Sequence, residues 1–418
     1  GRLGAMRMGQ ALARYGGSAV PSLLAALQDA ESSVRIAALE ALGRIGEPIG
    51  AQGFAQVMAF IADADAAVRA AAIRAVFRAD LLARRAADEV VEALLARLAL
   101  PAPSAGHAPG GARGSEVEVV RLLAIRTLGM LGPEAAARAQ ARLLTSLREP
   151  SPVEIRREAA TAWAAWGRGA LVALPALIHA AEHDPDLDVQ QHASVALMRL
   201  ESLAAEAVPA MQRIFERADD PQRRITAAAV LGSIGEPAAI AADALLTAVA
   251  DPHPLVAAEA VRALGRIGPA VRRSPRVDGV LLAALEKPLL RPRAALALAA
   301  IGPAPLATPA AAMASAGTTG TSSGTTGSPA TTGLTGTAPG AGRVAADDVP
   351  VAMLRALVDE ERPETVRALL HALAAWGPQA AHVQPALVGL AAATADPAIR
   401  AAIHQTAVAL ASPPSDRH

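Results

Sequence analysis

The sequence predicts an all-α fold, an α-solenoid of about ten stacked antiparallel helix pairs. Three observations carry the prediction. The pattern Val-Arg-x-x-Ala-x-x-x-Leu-Gly-x-Ile-Gly recurs at intervals of about 33 to 35 residues. Its clearest copy is SVRIAALEALGRIGEP at 33–48, with relatives QRRITAAAVLGSIGEP at 222–237 and LVAAEAVRALGRIGPA at 255–270. Hydrophobic residues make up 52% of the chain but aromatics only 2%, so Ala and Leu, both strong helix formers, carry the burial. No run of alternating β-branched residues competes with helix.

Taken in order, each unit reads as a first helix, a short acidic turn and a second helix ending at glycine. Residues 4–16 supply a second helix whose partner is missing, so the chain reads as a piece of a longer protein. The first full unit has SAVPSLLAALQ as first helix, a turn at 29–32 and a second helix at 33–45. Within it Val34, Ala38, Leu42 and Ile45 fall at helical spacing and face the core. Gly46 suits the left-handed position after a helix end, and Pro48 opens the next helix. Equivalent glycines are Gly16, Gly132, Gly167, Gly235, Gly268, Gly302 and Gly377. Units ending near Ala79 and Glu201 keep the spacing without the glycine.

Two intervals are too long. The first surplus is assigned to a Pro/Gly-rich loop at 101–115 within the solenoid 1–302. The second, 303–346, is dense in Gly, Thr, Ser and Pro and is expected to be a disordered insert. Two further units at 347–412 are expected to continue the same stack, followed by a tail at 413–418. Looping out an insert costs little, because closure entropy rises only about 0.6 kcal/mol per doubling of length.

The 39 basic and 39 acidic residues balance, which argues against a dedicated nucleic-acid or membrane-surface binder. The absence of cysteine removes disulfides, thiol nucleophiles and thiolate metal sites. The longest uncharged helical stretch, 368–395, is broken by Gly377-Pro378 and Pro385 and cannot cross a bilayer as one helix. No transmembrane segment is expected, and the compartment stays open.

An acidic turn residue precedes an arginine by six positions at Asp29 and Arg35, Asp63 and Arg69, and Glu361 and Arg367. A proline recurs in first helices, at Pro21, Pro175, Pro209, Pro350 and Pro385. With ten units in register, the chain resembles HEAT repeats of the short bacterial type, as in phycobilisome-lyase HEAT-like proteins. The resemblance implies that those acid–arginine residues form a structural ladder between units. Gln190 and Ala257 replace the arginine and would interrupt it. It also implies a curved rod whose second helices line the inner surface and bind protein.

His179, His183 and His192 form a metal candidate, with Asp184, Asp186 and Asp188 as neighbouring oxygens. Solvated turn residues account for them better, since the acidic run lacks the glycine and closing glutamate of a calcium loop. Trp163, Trp166 and Trp376 align on the Leu42 and Ile45 positions and are expected in the core. Inner-face positions collect Arg44, Arg74, Arg78, Arg126, Arg199, Arg262, Arg266 and Arg293 against Glu40, Glu158 and Glu259. Such a row suits an acidic protein partner, because arginine pairs bidentately with carboxylates. Nothing resembles a catalytic triad, a phosphate-binding glycine loop or a cofactor site.

The expected function is a non-enzymatic scaffold or adaptor for a protein partner, a module of a larger protein. One alternative is a bilin-lyase-like enzyme subunit, resting on the resemblance. The other is nucleic-acid binding through the arginine-lined face.

Overall fold

The computed structural model describes residues 14–98, 112–134, 137–148, 150–303, 348–358 and 360–411. All regular structure among them is helical, and it forms an α-solenoid of helix pairs. The half-unit at 4–16 (but for its last three residues), nearly all of the 303–346 insert and the 413–418 tail lie outside the described residues.

Two compact units are present, 1–234 and 235–418. In the first, α1 (Val20–Ala26) pairs with α2 (Ser32–Ile45), and α3 (Gly50–Ala59) with α4 (Ala66–Arg78). The short α5 (Asp80–Arg85) precedes α6 (Ala87–Leu98) and α7 (Ala112–Leu131). Then come α8 (Gln140–Ser146) with α9 (Val153–Trp166) and α10 (Leu174–His183) with α11 (Leu187–Leu200). The unit closes with α12 (Val208–Arg217) and α13 (Pro221–Ile234). In the second unit α14 (Ala242–Ala248) pairs with α15 (Pro254–Ile267), and α16 (Val277–Glu286) with α17 (Arg291–Ile301). Beyond residues 304–347, α18 (Val349–Val358) pairs with α19 (Pro363–Trp376), and α20 (Gln384–Ala393) with α21 (Pro397–Ala411).

Within each compact unit, second helices pack on their own first helices and on the neighbouring second helix, which is how a pair with too little core of its own becomes stable. Leu39, Leu42, Ile73, Val76, Ile125 and Leu128 line this seam and are completely buried. Burial of one such side chain stabilises by roughly 1.5–3 kcal/mol. Small residues set the spacing. A Cβ on Gly43 would lie 2.7 Å from Ala75 Cα, and one on Gly265 would lie 2.9 Å from Ala297 Cα. Adjacent second helices therefore touch backbone to backbone at these points.

The expected end glycines all have positive φ, for example 69° at Gly46 and 77° at Gly235. Two units solve the same turn without glycine. At Ala79 φ is −87°, and instead of breaking the helix the chain winds on into α5. Glu201 adopts the glycine conformation itself, with φ 53° and ψ −134°. A side chain in that region stores on the order of 1–3 kcal/mol. Glu201→Gly is therefore expected to raise stability by about 1 kcal/mol, since only an exposed ion pair to Arg168 is lost. An unchanged or lower urea midpoint would refute the strain.

Two expectations change in detail. Helix α7 begins at Ala112, so residues 112–115, assigned to the loop 101–115, are helical. The stretch Val153–His183 is apolar enough in composition to span a bilayer, but half of it is buried in the fold. It is also two helices, α9 and α10, separated at Gly167, where φ is 53°.

Candidate interaction surface

The acidic turns organise one edge of the stack. Each turn carboxylate first accepts from a backbone amide within its own turn: Glu31 N donates to Asp29 Oδ1, Asp65 N to Asp63 and Asp186 N to Asp184. The arginine of the following helix then closes the same turn by donating to its carbonyls. Arg35 donates to the oxygens of Asp29 and Ala30, and Arg69 to those of Asp63 and Ala64. The ladder between pairs comes from the rest of the guanidinium, which reaches the carboxylate of the next turn. Arg35 Nε lies 3.5 Å from Asp63 Oδ2, Arg156 grips Asp184 at 2.8 and 3.0 Å, and Arg291 lies 3.0 Å from Glu360. Asp29 and Arg35 thus meet within the turn through the Asp29 carbonyl.

The residues Glu361 and Arg367 need correcting by one position. Glu360 is the ladder carboxylate, and six residues later stands buried Val366, while Arg367 is exposed. Gln190 closes its own turn as an arginine would, its Nε2 donating to Asp184 O.

The histidine cluster separates. His179 and His183 have ring centroids 5.1 Å apart on α10 and border a groove of about 400 Å³ with Arg148, Pro175 and Asp184. His192 lies on α11, with Nδ1 2.6 Å from Asp188 O. The oxygens proposed beside them are already engaged, Asp184 by Arg156 and Asp186 and Asp188 by Arg157. Among the described residues no three His, Asp or Glu side chains gather as a metal-ligand set.

Arg157 holds the Asp186 carboxyl down at about 2, helped by the Val189 amide. Arg362 does the same for Glu360, also to about 2, and Arg213 lowers Glu182. A carboxylate whose folded pKa is depressed contributes stability above its unfolded value near about 4, and that contribution disappears as pH falls through the folded value. Urea midpoints are expected to drop between about pH 4 and 2, and Arg157→Gln should make the drop shallower. An identical acid profile for the variant would exclude the Arg157–Asp186 contribution.

All three tryptophans are buried. Trp163 is fully enclosed, Trp166 donates to Leu128 O at 3.3 Å and Trp376 to Leu298 O at 3.0 Å. Both donors tie one second helix to a carbonyl of the preceding one. They are packing residues that also lock register.

The exposed edge of the second helices carries the arginines expected there, in two states. In the first unit Glu40 sits between Arg44, at 3.7 Å, and Arg74, at 3.4 Å. Arg126 makes a bidentate pair with Glu158 at 2.9 and 2.8 Å, which raises the arginine's pKa. Arg199 donates to Ala164 O at 2.9 Å, satisfying a carbonyl at the end of α9. In the second unit Arg262 turns back onto Glu259 within its own helix, at 2.5 Å. Arg78, Arg266 and Arg293 are exposed. Several of these arginines are held by a carboxylate of their own or a neighbouring helix, so the count of arginines in the sequence overstates the open positive charge.

Residues 5–76 match the family model of HEAT repeats. No curated protein matches the sequence. Among solved structures, an engineered protein aligns with TM-score 0.53 at 18% identity, over 94% of this chain and 99% of its own. Kap95p, whose binding induces the switch loops of RanGDP to adopt the GTP-bound conformation, aligns with TM-score 0.56 at 13% identity. That match covers 93% of this chain and 50% of Kap95p. Kap121p bound to Nup53p aligns with TM-score 0.51 at 13% identity, over 93% of this chain and 41% of its own. This chain therefore spans half or less of the length of either karyopherin, and identities this low show a common fold alone. One helix pair repeats through both compact units, so the chain is an α-solenoid, and its residues 5–76 match HEAT repeats.

Proposed function

We propose that the chain is a non-enzymatic scaffold or adaptor for a protein partner, acting as a module of a larger protein. The observation that carries this reading is the exposed second-helix edge, where Arg44, Glu40 and Arg74 are cross-linked from one helix pair to the next. Such an edge is held in place before any partner arrives, which lowers the ordering cost of binding. Kap121p, which shares the fold, was solved bound to the protein Nup53p. We read residues 303–346 as an insert in one continuing stack, supported by the packing of α17 on α19.

Nucleic-acid binding is the second reading, favoured by exposed Arg266 and Arg293. A bilin-lyase-like activity rests on family resemblance alone. Affinity capture of the full chain with cross-linking mass spectrometry tests the first reading. A protein cross-linked to the second helices is the expected result. Salt-sensitive retention of DNA, or a copurifying tetrapyrrole absorbance, without such a protein would overturn it.

A further inference from the structure

The repeat register shows where a charge pair is missing. Arg126 stands six residues before its end glycine, Gly132, and Glu158 stands nine before Gly167, in the next helix pair. Those two positions face each other, since the side chains make the bidentate pair described above. In the second unit the same two positions are Arg262, six before Gly268, and Arg293, nine before Gly302. Both are arginine, on α15 and α17, which pack against each other as α7 and α9 do. Arg262 is satisfied by Glu259 in its own helix, and Arg293 is left exposed without that acid. Like charges at facing positions weaken a fold by about as much as opposite charges stabilise it. Burial of a core does not explain keeping them at an exposed edge.

The next exposed position along α17 after Arg293 is apolar. Leu296 stands six residues before Gly302, in the row that holds Arg262 and, at α19, His371. Neighbouring members of this row come within reach of each other, as the 3.4 Å Glu40–Arg74 pair shows. Leu296 is 49% exposed, although every core position of α17 is filled by Ala294, Ala295, Ala297, Leu298 and Ile301. An exposed leucine in a basic row is a mixed apolar and cationic surface, suited to a segment with both acidic and apolar side chains.

We propose that the edge formed by α15, α17 and α19 docks an acidic, leucine-bearing segment of a protein partner. Carboxylates pair with Arg293 and Arg266, and an apolar side chain covers Leu296. This rests on the protein-binding reading above and assigns it a surface and a partner chemistry.

The test uses the full chain and a fluorescent peptide composed of Glu, Asp and Leu, measured by anisotropy. A peptide of Glu and Asp without Leu and a DNA duplex serve as comparisons. Binding of the mixed peptide is expected, with an affinity roughly tenfold or more lower for Arg266→Glu/Arg293→Glu. Leu296→Ser should weaken the mixed peptide and leave the purely acidic one unchanged. Arg78→Glu/Arg142→Glu, two exposed arginines of the first unit, should bind like the parent. Circular dichroism melts check that every variant stays folded, as exposed charges contribute little to stability. The proposal is overturned if the Arg266/Arg293 variant binds like the parent, or if the first-unit variant loses as much. It is also overturned if DNA binds as tightly as the mixed peptide and Leu296→Ser has no effect, which would mark a general polyanion surface. Should these fail while cross-linking still captures a partner elsewhere on the chain, the scaffold reading survives and this site does not.

Discussion

Replacing Arg156 with leucine is expected to destabilise the first unit by about 3–5 kcal/mol, far more than any other ladder substitution. Arg156 and Asp184 have side chains only 8% and 5% exposed, and the guanidinium also donates to Ser151 O at 2.6 Å. Removing the arginine leaves the carboxylate enclosed without its counter-charge. Its neighbour Arg157 also reaches the next turn but is 41% exposed, so Arg157→Leu should cost far less. Adding Asp184→Asn to Arg156→Leu should recover much of the loss, because the amide keeps an acceptor for Asp186 N without the charge. Urea unfolding gives the energies, and hydrogen exchange should place the weakened amides in α9 to α11. Equal effects for Arg156 and Arg157 would mean that burial does not set the strength of the ladder.

Trp163→Ala is expected to cost a further about 3–5 kcal/mol, in line with other fully buried tryptophans. Its ring is completely enclosed and meets Trp166 edge-on at 4.9 Å. The indole nitrogen tells Trp163 apart from Trp166. Trp163 Nε1 is buried with no hydrogen-bond partner, whereas Trp166 Nε1 donates to Leu128 O. Trp163→Phe therefore removes an unsatisfied donor along with some volume, and should cost less than about 1.5 kcal/mol. Trp166→Phe loses a bond that joins two helix pairs and should cost more. The reverse order, measured by the same urea titrations, would show that ring volume outweighs the hydrogen bond.

What the sequence revealed was whatever a single helix pair determines. The end glycines are dictated by local backbone geometry, so their positive φ values follow from spacing. The tryptophans fall at core positions by the same periodicity. Interactions between pairs were harder to see. Asp29 and Arg35 are six residues apart and invite a direct pair, but the shorter route is Nη1 to the Asp29 carbonyl, and Nε faces Asp63 of the next turn. At the turn before α19 two glutamates adjoin, and only the packing against Arg291 selects Glu360 over Glu361. The arginine row was legible as residues and misleading as a charge, because Glu40 and Glu158 cancel part of it from neighbouring helices. His192 was grouped with His179 and His183 by proximity in sequence, and the turn between α10 and α11 puts it on a separate helix, bonded to Asp188 O.

The contacts around residues 304–347 bear on how such a chain can change length. Arg291 reaches Glu360, Arg362 donates to Pro288 O, Trp376 donates to Leu298 O, and Arg272 lies over the Trp376 ring. Every one of these bonds joins side chains and carbonyls on either side of the connection, and none depends on how many residues run between them. The join is thus specified by its two faces. A gene encoding this array can gain or lose sequence at that connection without renegotiating the pairing, and a tag or a whole folded domain could be spliced there with the neighbouring pairs still finding each other.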